Sequence, residues 1–296
     1  MNRKERRKQK KNSSQSQVNN RLLEAIQFHT KKDFKNAETL YLQVIKHDQN
    51  NYHAIRHLGI LYNDTKKYEK AVKYLNNAID IAPLIPDAHN NLGLVYFVSD
   101  NLASAKKSFE KSFLLNNKYL PAINNLTRVY FSLNESEKCL QSAMVAIELG
   151  PNEYICKLNH ALALSINGEI ESGIKILEKL KEENKTDDLF NQLALMYEVS
   201  GNIEKSNQYL LESFKLNQNN YAMLVKLMDN EVLTENALNY SLEEKFNDNQ
   251  FDNLVEKSNL ARCLYISFNK KKNYELAGKY LLESNKLRDE VLKYEI

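Results

Sequence analysis

The sequence predicts an all-α protein, a right-handed superhelical solenoid of helix–turn–helix repeats with a helical C-terminal cap. Two observations support this fold class. The 296 residues include only 7 glycines and 4 prolines, which are too few for the many tight turns of a strand-rich or α/β fold. Small residues also recur every 34 residues, or 33 at the last step, at Ala37, Ala71, Ala105, Cys139, Gly173 and Ser206.

Composition and charge narrow the class of function. The hydrophobic fraction of 43% excludes wholesale disorder, and no stretch approaches 18 apolar residues, so no membrane span is expected. Residues 1–12 hold seven basic residues and one acidic residue, whereas the rest of the chain is mildly acidic. That body gives no support for nucleic-acid binding. Three scattered cysteines without a CxxC pair indicate reduced thiols and a cytoplasmic protein.

The basic N-terminal segment, residues 1–17, is predicted to be a disordered tail. It runs into polar residues without an apolar h-region, so it is not a signal peptide, and it carries no helical apolar period. A basic tail can touch RNA or an acidic membrane surface. Because this one lacks interleaved aromatics, a solubilising tail is the favoured interpretation.

Six repeats are predicted over residues 18–219. In the second repeat, Leu58 and Gly59 are followed by Tyr62, and Ala71 is followed four residues later by Leu75. This pattern resembles the tetratricopeptide repeat (TPR) family, in which positions 7, 8, 11, 20 and 24 hold Leu, a small residue, an aromatic residue, Ala and a large residue. The resemblance implies that each repeat is a helix A and a helix B, with the A helices lining a concave groove.

Close helix packing explains the pattern. Small residues at positions 8 and 20 let two helix axes approach to roughly 8–10 Å. Gly168 and Gly201 fall in turns between helices, where a helix C-terminus favours glycine. The fifth repeat departs from the pattern, because His160 stands at position 7 and Gly173 weakens its second helix, so we expect it to be the softest joint.

After residue 219 the period is lost, and the sequence predicts a degenerate helical segment at 220–252 and a TPR-like hairpin and cap at 253–296. The block Asp252-Asn253-Leu254-Val255, Tyr274-Glu275-Leu276-Ala277 and Ser284-Asn285-Lys286-Leu287-Arg288 resembles the end of the TPR half of bacterial TPR-containing sulfotransferases. A basic tip such as residues 2–7 is also common in that family. The resemblance implies an alternative function, the substrate-binding half of a protein sulfotransferase, truncated or working with a separate catalytic chain.

No catalytic motif accompanies that resemblance. The family's sulfate donor is held by a phosphate loop at a helix N-terminus, and here Tyr294-Glu295 is followed only by Ile296. The sequence also lacks GxGxxG and GxxxxGK[ST] motifs. We therefore predict no enzyme activity and no cofactor.

The candidate binding residues lie at positions 5, 6 and 9 of the A helices. An amide side chain offers both a donor and an acceptor, so it can pair with a peptide backbone. The alternative, that amides merely solvate an exposed face of a chain with 38 asparagines, stays open. We predict a non-catalytic scaffold that binds an extended peptide through Asn91, Asn125, Asn159, Gln192, His57, Asn90, Asn124, Arg56 and Arg128. If the asparagines have no role, recognition is expected to lie elsewhere, on Arg56, Arg128 and the aromatic pair Phe97 and Phe131.

Other groups of histidines and cysteines give no support for a metal site or a catalytic site. His53 and His57 have the i, i+4 spacing of a metal pair, but no zincin Glu accompanies them, so a solvated pair is favoured and no metal site is predicted. Cys139 occupies a small core position and is expected to be inert. Cys156 and His160 lack a third catalytic partner.

Overall fold

The computed structural model describes the backbone of residues 3–238, 241–247, 251 and 254–294, and the side chains of these residues except 3–15, 293 and 294. The described residues contain sixteen α-helices, one short 3-10 helix at Glu235–Ala237 and no strand, which confirms the all-α class. The helices are α1 Arg3–Thr30, α2 Phe34–His47, α3 Tyr52–Asp64, α4 Tyr68–Ile81, α5 Pro86–Val98, α6 Leu102–Leu115, α7 Leu120–Ser132, α8 Ser136–Leu149, α9 Tyr154–Ile166, α10 Ile170–Glu183, α11 Asp187–Val199, α12 Ile203–Leu216, α13 Tyr221–Asp229, α14 Leu242–Asn247, α15 Leu254–Lys270 and α16 Tyr274–Tyr294.

The chain divides into two compact units, residues 1–167 and 168–296. In the first unit, α3 packs on α4, α5 on α6, and α7 on α8, and each A helix also contacts the A helix of the next repeat. In the second unit, α11 packs on α12 and α15 on α16. The boundary falls inside the predicted fifth repeat, after Asn167.

Glycines at position 8 allow helices A and B to pack closely within two hairpins of the first unit. A Cβ added to Gly59 would lie 2.7 Å from Cγ of Leu75, and one added to Gly93 would lie 2.6 Å from the ring of Phe109. Leu75 and Phe109 are fully buried, so moving either one aside would disturb its packed neighbours. The close contact predicted for position 8 therefore exists, but the residue that the glycine accommodates is the large one at position 24 rather than the small one at position 20.

The turn between helix A and helix B contains a residue with left-handed backbone geometry. Gly168 and Gly201 have φ values of 91° and 82°, as expected where a helix ends in glycine. In the other turns, a residue with a Cβ takes this left-handed position, although such residues rarely adopt a positive φ. These are Lys32, Lys66, Asp100, Asn134 and, between α15 and α16, Lys272, with φ between 55° and 60°.

The N-terminus differs from the sequence expectation. Helix α1 begins at Arg3, so most of the segment expected as a disordered tail is helical. The Lys, Arg, Glu and Gln residues of this segment are good helix formers. They extend α1 toward the N-terminus from Val18, which is buried. Asn2 of the basic tip lies outside the described residues, as do Asp252, Asn253, Glu295 and Ile296.

Candidate functional site

The candidate site is a surface formed by successive A helices of the first unit, α3, α5, α7 and α9, which we call the A-helix face. These helices are neighbours because α5 contacts α3 and α7, and α7 contacts α9. The face carries Arg56 and His57 on α3, Asn90 and Asn91 on α5, Asn124, Asn125 and Arg128 on α7, and Asn159 on α9. The remaining predicted residue, Gln192, is half-buried on α11 of the second unit.

Two pairs of amides connect neighbouring A helices. Asn125 Nδ2 donates to Asn90 Oδ1 at 3.0 Å, and Asn159 Nδ2 donates to Asn124 Oδ1 at 3.1 Å. Asn90, Asn124 and Asn159 are buried. These amides thus have partners inside the protein, a structural role that the sequence analysis did not anticipate. Their contact with a peptide stays a prediction.

Asn91 and Arg56 occupy the corresponding place between α3 and α5. Asn91 Nδ2 and Arg56 Nε are both buried and have no hydrogen-bond partner among the described residues. Arg56 Nη2 contacts His57 Nε2 at 3.2 Å, and arginine can only donate. His57 is therefore the acceptor in that hydrogen bond.

The environment of His57 keeps it neutral. Burial, together with the positive charge of Arg56 and smaller contributions from His29 and His53, lowers the pKa of His57 to about 4. Its ring stacks on Tyr41 with a centroid distance of 5.9 Å. Among the described residues, no group of three His, Cys, Asp or Glu side chains is placed to hold a metal ion.

An arginine–aromatic contact joins α5 and α7 on the same face. The guanidinium carbon of Arg128 lies 4.9 Å from the centre of the Phe97 ring, within range of a cation–π interaction. Phe131, one turn after Arg128, is 37% exposed, and Val98 is 50% exposed. This end of the face thus combines a cation with accessible apolar surface.

The cysteines are buried, and Cys156 Sγ on α9 accepts a hydrogen bond from Asn124 Nδ2 at 3.3 Å. All three are free and buried. Burial raises the pKa of Cys139 to about 11 and also raises the pKa of Cys156. Thiols with raised pKa values are poor nucleophiles at neutral pH, which agrees with the packing role expected for Cys139.

Comparison with known families bears on the repeats. Residues 59–98 match a family model described as TPR repeat, and residues 86–119 match one described as tetratricopeptide repeat. The chain carries tetratricopeptide repeats. A TPR protein from Parabacteroides merdae has the same fold with a TM-score of 0.65 and 16% identity, over 83% of this chain and 98% of that one.

Two further likenesses extend this picture. The type IV pilus biogenesis factor PilW matches with a TM-score of 0.63 and 16% identity, over 71% of this chain and 98% of that one. Protein O-mannosyl-transferase TMTC3 of Homo sapiens is 26% identical over 207 residues, which are 63% of this chain and 22% of that protein. The chain thus spans about a fifth of the length of the human and mouse TMTC3 proteins. No helix among the described residues is long and apolar enough to cross a bilayer.

Proposed function

We propose that the chain is a non-catalytic scaffold whose TPR repeats bind an extended segment of a partner protein along the A-helix face. The observation that carries this proposal is the Arg128–Phe97 contact beside the exposed ring of Phe131. Arginine and aromatic residues are enriched among those that dominate protein–protein binding energy. TPR repeats are themselves associated with protein partners.

The spacing of the helices suits an extended segment. Packed helices lie about 10 Å apart, and an extended peptide advances about 3.3 Å per residue, so roughly every third peptide unit meets one helix. Asn91 and Asn125 are half-buried and reach the surface. An amide has two N–H donors and an acceptor oxygen, so the donation from Asn125 to Asn90 leaves capacity for a ligand.

Site-specific photo-crosslinking in the source cells tests the scaffold. A benzophenone amino acid at Phe131 reports on the A-helix face, and the same group at Leu114, which is 78% exposed on α6, is the matched control on a B helix. We expect the Phe131 position to capture a discrete polypeptide that Leu114 does not, and Arg128→Ala to reduce its yield severalfold. The same yield from both positions would refute the proposed face.

A second candidate function comes from the resemblance of the C-terminal block to the TPR half of bacterial sulfotransferases. On that alternative, the chain presents a substrate to a separate or attached catalytic domain. Calorimetry with the adenosine-phosphosulfate donor tests whether this chain binds the sulfate donor. The scaffold proposal expects no saturable binding by this chain, and saturable binding would overturn it.

A further inference from the structure

An open cavity of about 610 Å³ lies between α1 and α3, beside the start of the A-helix face. Its walls come from the last turn of α1, the turn after it, the first residue of α2, and α3. The side chains that bear on its chemistry are Ile26, His29, Lys32, Phe34, His57 and Asp64. Of these, only His57 belongs to the residues predicted to bind a peptide.

The carboxylate of Asp64 is held in place at this cavity. Asp64 Oδ2 lies 2.9 Å from His29 Nε2, and His29 Nδ1 lies 3.3 Å from the hydroxyl of Tyr41, which is fully buried. Because an ionised carboxylate can only accept, His29 donates its Nε2–H to Asp64. His29 is the one partner that the described residues give Asp64, and the carboxylate side chain is 43% exposed. Asp64 Oδ1 is therefore available to a ligand.

Two helix C-termini add negative potential at the cavity. Helix α1 ends at Thr30, which also lines the cavity, and α3 ends at Asp64. The C-terminal end of an α-helix is the negative end of its dipole and favours a nearby cation. The last turn of α3 contains no basic residue, so Asp64 adds to the negative end of the helix and does not compensate it.

The positive charges near the cavity are placed less favourably. Lys32 is exposed in the turn between α1 and α2, and its flexible stem lets the ammonium group turn into solvent. His57 is uncharged at neutral pH, because burial and Arg56 lower its pKa to about 4. Arg56 itself is not among the described side chains that line the cavity. Asp64 is thus the charge best placed to select a ligand.

We infer that this cavity binds a lysine or arginine side chain of the partner segment, whose cationic group pairs with Asp64 Oδ1. The inference rests on the proposed function and names the class of side chain recognised beside the A-helix face. Ile26 and Phe34 are half-buried and offer apolar surface to the methylene stem of such a side chain. An aromatic ring such as that of Phe34 also attracts a cation.

Nuclear magnetic resonance on the full chain tests the class of ligand. The probes are the N-acetyl N-methylamides of lysine and arginine, and the same derivative of norleucine keeps the apolar stem without the charge. We expect saturable shifts of the His29 ring signals with both cationic probes and smaller shifts with norleucine. Added salt should weaken the binding of the cationic probes, because salt screens exposed charges.

Two substitutions with opposite expected effects test the charge assignment. Asp64→Asn removes the charge but keeps an oxygen that accepts from His29, so the Kd of the cationic probes should rise about threefold to fivefold. Lys32→Ala removes the competing cation, so their Kd should fall about twofold. Asp80→Asn removes an exposed carboxylate on α4 outside the cavity and, as the matched control, should leave the Kd unchanged.

Three results would overturn the inference. Weaker binding in Lys32→Ala, or tighter binding of the glutamate derivative than of the lysine derivative, would identify an anion site. Equal affinities for the lysine and norleucine derivatives would show that the cavity does not select charge. No shift at probe concentrations on the order of 100 mM, where even millimolar affinities saturate a site, would show that neither side chain binds there.

Photo-crosslinking from Phe131 separates this inference from the scaffold proposal. In Asp64→Asn we expect the yield of the captured polypeptide to fall to about half or less. An unchanged yield, together with no binding of the cationic probes, would refute the cavity contact and leave the scaffold in place. If no discrete polypeptide is captured while the cationic probes bind, the scaffold proposal fails and the cation selectivity of the cavity remains.

Discussion

Both units hold neighbouring helices together with tyrosine–glutamate hydrogen bonds, such as Tyr62–Glu38 in the first and Tyr197–Glu178 in the second, and the first unit adds amide pairs. In the first unit, amides pair from one A helix to the next, on the candidate binding face. In the second unit, Glu178 on α10 accepts hydrogen bonds from Tyr197 on α11 at 2.8 Å and from Tyr209 on α12 at 2.7 Å. The comparison teaches that the amide pairs of the first unit lie on the candidate binding face, so we expect substitutions there to change stability as well as the proposed binding. In the second unit, the Glu178 cluster stabilises the helices without using the candidate binding residues.

The largest loss of stability is expected from a substitution that disrupts the contact between Gly93 and Phe109 in the first unit. Gly93→Leu places a side chain where even a Cβ would lie 2.6 Å from the fully buried Phe109. Overpacking of this kind is destabilising by about 1–3 kcal/mol. Denaturant unfolding followed by circular dichroism measures the loss.

The second unit supplies the control for that variant. A Cβ on Gly278 in α16 would meet no atom within 4 Å, so Gly278→Ala should gain up to about 1 kcal/mol of helix propensity. Gly93→Ala should lose stability under the same conditions. If Gly93→Ala and Gly278→Ala change stability equally, the close approach of Gly93 to Phe109 does not limit packing.

A smaller effect is expected from the Glu178 cluster of the second unit. Glu178→Gln keeps the shape and removes the charge that accepts from Lys181, Tyr197 and Tyr209. Hydrogen bonds to charged groups contribute about 1.5–3 kcal/mol each. Because the glutamine oxygen can still accept a hydrogen bond, we expect a loss of only roughly 1–2 kcal/mol in denaturant unfolding. Glu212→Gln, which removes an exposed pair with Lys215, should change stability by less than about 0.5 kcal/mol.

The same cluster predicts a pH dependence. Burial by itself raises the pKa of Glu178, but the hydrogen bonds from Lys181, Tyr209 and Tyr197 outweigh it and hold the pKa below its usual value. The stabilisation is therefore present above the ordinary glutamate pKa and is lost as the pH falls through the lowered one. In Glu178→Gln, stability should fall less steeply as the pH is lowered. An unchanged pH dependence would contradict the lowered pKa of Glu178.

A second pH effect concerns His57 of the first unit. Its pKa of about 4 lies below the ordinary value near 6.5, so the folded state binds fewer protons than the unfolded state between these values. Stability should be full above pH 6.5 and should decline as the pH falls toward 4. Melting temperatures measured across this range should show a shallower decline for His57→Phe, which keeps an aromatic ring against Tyr41. A steeper decline in that variant would contradict the neutral, buried histidine.

Much of the fold follows from local sequence, and much of the site does not. The 34-residue period and the turn glycines, Gly168 and Gly201, predict the helical hairpins because they report contacts within one repeat. The pairing of Asn125 with Asn90 depends on how far one repeat is displaced from the next, which no local pattern encodes. The co-occurrence of asparagine at positions 5 and 6 of successive repeats was the available signal. The helical start of α1 was missed because a basic segment without apolar period still has high helix propensity.

The left-handed turn residues have a consequence for how this protein could change over time. At Lys32, Lys66, Asp100 and Asn134, a residue with a Cβ adopts a conformation that glycine adopts without penalty, so a glycine there would relieve up to about 1–2 kcal/mol. In a repeat array, stability is close to a sum over repeats and their interfaces. Each of these turns is thus an independent means of adjusting the stability of one hairpin while the candidate binding residues stay unchanged.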